Sequence, residues 1–117
     1  MKLKNSTIYA SMNALNKLGE KDLPIKLAYK IKKNIENING QLKFINDRRN
    51  ELIKKYGKDD KIDSSDIEAI QAFMKDFNEV LEIEEDVDVN VIDVDELDGI
   101  KLSAADLDAL SFMLKLG

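Results

Sequence analysis

Histidine, cysteine and tryptophan are all missing from this chain of 117 residues, and proline occurs once. Without cysteine there is no disulfide, no thiolate nucleophile and no thiolate metal site. Without histidine there is no imidazole ligand and no base that titrates unperturbed near neutrality. No glycine-rich phosphate loop occurs among the five glycines. Paired carboxylates are abundant, but nothing selects two of them with a nucleophile or an oxyanion donor around them. The expectation is a non-enzymatic protein with no cofactor and no metal. No segment approaches the roughly 20 apolar residues of a membrane span. Met1-Lys2-Leu3-Lys4-Asn5 passes directly into polar residues, so neither a membrane segment nor a secretory signal is expected, and the default location is cytoplasmic.

What is present is charge, and it is divided. Residues 1–58 carry 14 basic and 5 acidic side chains, a balance of +9, whereas residues 59–117 carry 4 basic and 18 acidic ones, a balance of −14. Either the halves fold onto each other and neutralise, or each covers the opposite half of a neighbouring copy. The length fits a single domain, residues 1–117, built from a basic helical hairpin (1–58) and an acidic part (59–117) holding a helix, a β-ribbon and a C-terminal helix.

The stretch from Pro24 to Tyr56 organises the rest. It reads as one helix of about nine turns, roughly 50 Å long. Apolar residues recur on it in steps of three and four: Ala28, Ile31, Ile35, Ile38, Leu42, Ile45, then Arg49 out of class, then Leu52 and Tyr56. Such a coiled-coil-like seam needs cover, either from the smaller segments or from a second copy in a homo-oligomer. Arg49 on the seam either finds a carboxylate or marks where the seam opens to water. Gly40 falls at an outward position, and with Asn34, Asn37 and Asn39 it lowers helix propensity in the middle of the rod.

Around this rod the pattern predicts three shorter helices. Leu3–Leu18 carries Ile8, Met12, Leu15 and Leu18 on one face, with Asn5, Ser6 or Thr7 as the cap and Gly19 as a left-handed stop. A tight turn then sets Ile8, Met12 and Leu15 against Ile25, Ala28 and Ile31. Gly57 ends the long helix by the same logic as Gly19. Ser65-x-x-Glu68 has the form of a capping box before a third helix, to about Leu81, whose face is Ile67, Ile70, Phe73, Met74, Phe77 and Leu81. From Ile83 the period changes to two, through Val87, Val89 and Val91, which predicts a strand or hairpin turning near Asn90 to Ile92. Ile100–Leu102 reads as a short return strand. Ser103 caps a last helix, Ala104 to Leu116, with Leu107, Leu110, Met113 and Leu114 on one side. The fold class is mainly α (α+β): a long central helix, flanking shorter helices and a small acidic β-ribbon.

Between Lys75 and Lys101 there are eleven acids and no base. The candidate partner-binding surface consists of Glu82, Glu84, Glu85, Asp86, Asp88, Asp93, Asp95, Glu96 and Asp98. Carboxylates spaced two apart on a strand share a face about 6.5 to 7 Å apart, close to the phosphate spacing of a nucleic-acid strand, and such a surface suits the nucleic-acid channel of another protein. A charged edge that prevents strand-to-strand aggregation accounts for the same residues. Asp86-x-Asp88-x-Asn90 opens like a calcium loop, but Val91 stands where the glycine belongs and Leu97 where the bidentate Glu belongs. Lys26, Lys30 and Lys33 form a row, with Lys54, Lys55 and Lys58 beyond it. The acidity of the whole and the seven aromatics argue against direct nucleic-acid binding.

Three segments resemble a family of small proteins from siphophages and prophages of low-GC Gram-positive bacteria, a domain of unknown function. They are Asn13-Ala14-Leu15-Asn16-Lys17-Leu18 with Leu23-Pro24-Ile25-Lys26-Leu27-Ala28-Tyr29-Lys30-Ile31 after it, then Leu52-Ile53-Lys54-Lys55-Tyr56-Gly57, and Leu102-Ser103-Ala104-Ala105-Asp106-Leu107-Asp108-Ala109-Leu110-Ser111-Phe112-Met113-Leu114. The resemblance implies a phage origin and the cytoplasm of an infected cell, and it carries over no catalytic or binding residue. Two functions are expected on this basis. One is a protein that binds and antagonises a host factor through its acidic segment. The other is a phage assembly factor that oligomerises through its long helix, using Ile31, Ile35, Ile38, Leu42, Ile45, Arg49, Leu52 and Tyr56.

Overall fold

In the computed structural model, which describes residues 1–116, one helix sets the length of the molecule. Helix α2, Ile25–Tyr56, is unbroken over 32 residues, or about 48 Å at 1.5 Å per residue. It spans the longest dimension of a body measuring 47 × 27 × 21 Å. The radius of gyration, 16.6 Å, exceeds the roughly 13 Å of a compact domain of this length. In chain order the other elements are strand β1 (Lys2–Lys4), helix α1 (Asn5–Gly19), helix α3 (Ile67–Leu81), strand β2 (Glu84–Asp86), strand β3 (Ile92–Asp93), a 3₁₀ turn (Val94–Leu97), helix α4 (Ala104–Ala109), a second 3₁₀ turn (Ser111–Met113) and strand β4 (Leu114–Lys115). The architecture is mainly α with a long central helix, as the periodicity predicts.

The seam of α2 is covered from within the chain. Helix α1 packs along its first half, α3 along its distal half, and the C-terminal segment reaches it through Met113. Buried on α2 are Leu27, Ile31, Asn34, Ile38, Leu42 and Ile45. The seam therefore begins at Leu27, and Ile25, expected to meet α1, is 87% exposed. Ile35, Arg49, Leu52 and Tyr56 are half-buried. Arg49 makes no ion pair among the described residues, so the seam opens around it.

The ends of the helices differ from the expected caps. No side chain caps α1; Lys4 occupies that position and Asn5 turns inward instead. Gly19 has no left-handed backbone. A Cβ there would lie 3.0 Å from Ile35 Cδ1, so the glycine lets α1 approach α2 closely. Gly57 is extended, with φ −120° and ψ −173°. A Cβ on it would stand 2.2 Å from the Lys61 carbonyl oxygen, because Lys58 and Lys61 close a tight turn with reciprocal bonds of 2.9 and 3.2 Å. The left-handed residues of that turn are Asp59 and Asp60, φ 55° and 63°, the conformation of a two-residue hairpin. The N-cap of α3 is Asp66, which accepts from the Ala69 N–H at 3.1 Å. Ser65 bonds to Asp63 instead, so no Ser65–Glu68 box forms.

The ribbon is a larger departure. No hairpin forms within residues 83–102. Strand β2 pairs antiparallel with β1, setting Lys2 opposite Asp86 and Lys4 opposite Glu84. Opposite charges face each other across this ladder, whereas a hairpin within the acidic segment sets acids against acids. Strand β3 pairs in parallel with β4, with Asp93 beside Lys115. Ile100–Leu102 is irregular. The expected helix to Leu116 stops at Ala109, capped by Ser103 as expected. The chain then tightens into the second 3₁₀ turn, which buries Leu110 and Met113 completely, and β3 captures Leu114 and Lys115 beyond it.

Candidate functional site

The acidic segment is held in place by amides. Asn34, deep in the seam, uses its side chain as a backbone-like clamp: Oδ1 accepts from the Asn90 N–H at 2.7 Å and Nδ2 donates to the Asn90 carbonyl at 3.0 Å. One turn on, Asn37 Nδ2 donates to the Asp88 carbonyl at 3.1 Å. One turn further, Gln41 Nε2 donates to Asn5 Oδ1 at 2.8 Å, and Asn5 in turn donates from Nδ2 to the Val80 carbonyl at 3.0 Å and from its backbone to the Ile83 carbonyl at 2.9 Å. Asn34, Asn37 and Gln41 are spaced by three and four and so share one stripe of the helix. They fix three points of the segment Val80–Asn90 along about 10 Å of the rod. Val87 and Ile92 anchor it with their side chains in the core.

Sequence reasoning treats Asn34 and Asn37 only as weak helix formers, offers Asn5 as a cap and gives Gln41 no role. The signal for them is the phase of the seam. A repeat through Leu27, Ile31, Asn34, Ile38, Gln41 and Ile45 steps by four and three, and places two polar residues at inward positions. A buried amide survives there only with partners of its own, and no buried side-chain nitrogen or oxygen among the described residues lacks one.

The two halves of the charge dipole do meet. Five ion pairs join them: the Met1 amino group to Asp86 at 2.9 Å, Lys4 to Glu82 at 2.9 Å, Lys17 to Asp106 at 3.6 Å, Lys30 to Glu96 at 3.1 Å and Lys55 to Asp76 at 3.9 Å. Of the nine carboxylates singled out in the sequence, Glu82, Asp86 and Glu96 are thus engaged. The hydrogen bond and charge of the Met1 amine hold the Asp86 carboxyl below its ordinary pKa. Glu96 is lowered by its bond to Lys30 and by the Asp93 backbone N–H it accepts. The Glu82 bond raises Lys4.

The other six, Glu84, Glu85, Asp88, Asp93, Asp95 and Asp98, are exposed and outside any ion pair among the described residues. They do not make one straight row. The two-residue spacing of a strand holds from Glu84 to Asp86, after which residues 87–91 form no regular element and the chain coils at Val94–Leu97. The result is an irregular rim of negative charge outside any ion pair, on a backbone tied to the rod. A shallow groove runs between this rim and α2, lined by Asn37, Gly40, Gln41, Glu85 and Asp88. Gly40 leaves its floor open, with nothing within 4 Å of where a Cβ would sit.

The seam residues named as an oligomer surface lie elsewhere. Ile31, Ile38, Leu42 and Ile45 are buried inside the chain, and Ile35, Arg49, Leu52 and Tyr56 are half-covered by α1 and α3. No group of acids among the described residues is arranged to hold a metal ion, and no helix is long and apolar enough to cross a membrane. No family model, no curated protein and no solved structure matches this chain.

Proposed function

We propose that this chain works by binding another protein through the acidic rim of residues 82–98, and that its partner presents a basic surface. The observation that carries this reading is the clamp. Six unpaired carboxylates repel one another, and a flexible loop would spread them apart. Here Asn34, Asn37, Gln41 and Asn5 fasten the backbone that bears Glu84, Glu85 and Asp88, and the β3–β4 pairing with buried Ile92 and Leu97 holds the part that bears Asp93, Asp95 and Asp98. A preorganised charged surface gives up little conformational freedom on association and accelerates encounter with an oppositely charged partner. The resemblance to small phage proteins suggests the setting: antagonism of a host protein whose basic surface ordinarily takes nucleic acid.

The test uses the full chain with Glu85→Gln, Asp88→Asn, Asp95→Asn and Asp98→Asn together. These positions are exposed and make no ion pair, so the fold is retained. Wild-type protein used as bait in a Gram-positive host lysate is expected to capture a nucleic-acid-binding protein that is released by salt and displaced by duplex DNA. The neutralised protein is expected to lose it. Equal capture by both proteins, or capture indifferent to salt, rejects the acidic rim as the binding surface.

A further inference from the structure

Helix α3 is the longer of the two helices that bury no residue fully, although its sequence is strongly amphipathic. Phe73 and Phe77 stack on each other, Tyr9 of α1 meets Phe77 edge-on, and this side faces the body. Ile67 and Met74 do not: they are 65% and 55% exposed. Seven residues apart, they stand two turns from each other on one stripe. Glu68 and Lys75, also seven apart, form a parallel stripe beside them. Both are exposed, and neither makes an ion pair among the described residues, although Asp76 next to them does.

We propose that this face pairs with the same face of a second copy, the two α3 helices running antiparallel about a twofold axis at Gln71. The face is its own complement under that operation to within one residue step. With the axis at Gln71, Ile67 lies one residue step, about 1.5 Å along the helix, from the level of Met74 of the second copy, and Met74 lies the same step from its Ile67. Glu68 and Lys75 are offset by one step in the opposite sense, within reach of their long side chains, which gives two symmetric ion pairs at the margin. In a parallel pair or a slipped register, Glu68 faces Glu68 or solvent, so charge selects one arrangement. Helix α3 is about 22 Å long and ~10 Å wide, so the contact falls short of the roughly 800 Å² per partner of a standard interface. The dimer is therefore weak and depends on concentration. It uses the outer face of α3 and leaves both the seam of α2 and the acidic rim free, so it stands or falls independently of the binding function proposed above.

Two experiments test it. In sedimentation velocity from about 10 µM to about 1 mM, the wild-type protein is expected to shift from monomer towards dimer. Glu68→Lys alone or Lys75→Glu alone sets like charges across the axis and is expected to weaken association about fivefold or more. The double exchange restores the pairs in reversed sense, and is expected to return the affinity to within about twofold of wild type. Both residues are exposed, so far-UV circular dichroism stays unchanged throughout. The second experiment exploits the absence of cysteine. Gln71→Cys places two thiols at the axis, where Cα atoms of helices packed 8–10 Å apart come within disulfide range, and mild oxidation is expected to yield a covalent dimer. Asn39→Cys, on the exposed side of α2, is expected to stay monomeric. A protein monomeric over the whole range, a double exchange that fails to restore association, or equal cross-linking at residues 39 and 71 overturns the proposal.

Discussion

Replacing Asn34 by Ala removes the clamp at its deepest point and leaves the charges of the acidic rim untouched. The Asn34 side chain is fully buried and makes two short bonds to the backbone of Asn90. Each bond contributes about 1 kcal/mol net, and truncation also leaves a small void beside Met113. The total is about 2 to 3 kcal/mol. For a chain of this length the unfolding entropy near 60 °C is about 0.25 kcal/mol/K, so the midpoint falls by about 8 to 12 °C. Asn37→Ala is the internal comparison. Asn37 is exposed and makes one bond, to the Asp88 carbonyl, where water readily substitutes, and its loss lowers the midpoint by less than about 4 °C. The assay is thermal unfolding monitored by circular dichroism at a fixed pH near neutrality. A midpoint for Asn34→Ala within 2 °C of wild type, or equal losses for the two variants, refutes the idea that Asn34 holds the segment.

Three further outcomes rest on the same geometry. Gly57→Ala drives a Cβ against the Lys61 carbonyl, 2.2 Å away, and is expected to lower the thermal midpoint by at least about 4 °C, equivalent to about 1 kcal/mol or more. Gly40→Ala meets nothing within 4 Å and improves helix propensity, so it raises stability by about 0.5 to 1 kcal/mol; the same melts check both. Asp63, Asp86 and Glu96 all have lowered pKa values, through the Ser65 backbone and side-chain bonds, the Met1 amine and Lys30 respectively. Their stabilising contribution is complete above the ordinary carboxylate range and is lost as pH falls through the lowered native values. Melting points are therefore expected to hold from neutrality down to the ordinary carboxylate range and to fall below about pH 4, with a shallower fall there in Glu96→Gln; a profile flat to pH 3 contradicts this.

The parts of the fold set by periodicity were legible in the sequence, and those set by pairing at a distance were not. Helix α2 begins and ends within a residue of its expected bounds, because a heptad stripe and the helix-starting geometry of Pro24 are local properties. Helix α3 is equally plain. The ribbon misleads because alternation of valines and acids reports extended backbone without naming its partner. The partner, Lys2–Lys4, is about 80 residues away and reads as the start of a helix, since three residues are too few to show a period of two. The glycines read as left-handed stops, whereas Gly19 and Gly57 are there for room, a property of a neighbour rather than of the glycine. Asn34 looks like a weak point of the helix and Gln41 like an ordinary helix former, yet their inward phase makes them fastenings of the acidic segment. Of the nine acids singled out, charge counting alone leaves unsaid that Glu82, Asp86 and Glu96 are spent on internal pairs.

The amide hydrogen of Asn90 reports most directly on the central claim that the acidic rim is a fixed surface. Its N–H is held by Asn34 Oδ1 at 2.7 Å, although the residue itself is exposed. Exchange measured by NMR on the intact protein is expected to show strong protection at Asn90, with neighbouring Val91 close to unprotected, and loss of the Asn90 protection in Asn34→Ala. Exchange of Asn90 in the wild-type protein at the rate of an unstructured peptide would contradict the account, since the carboxylates would then ride on a loose loop.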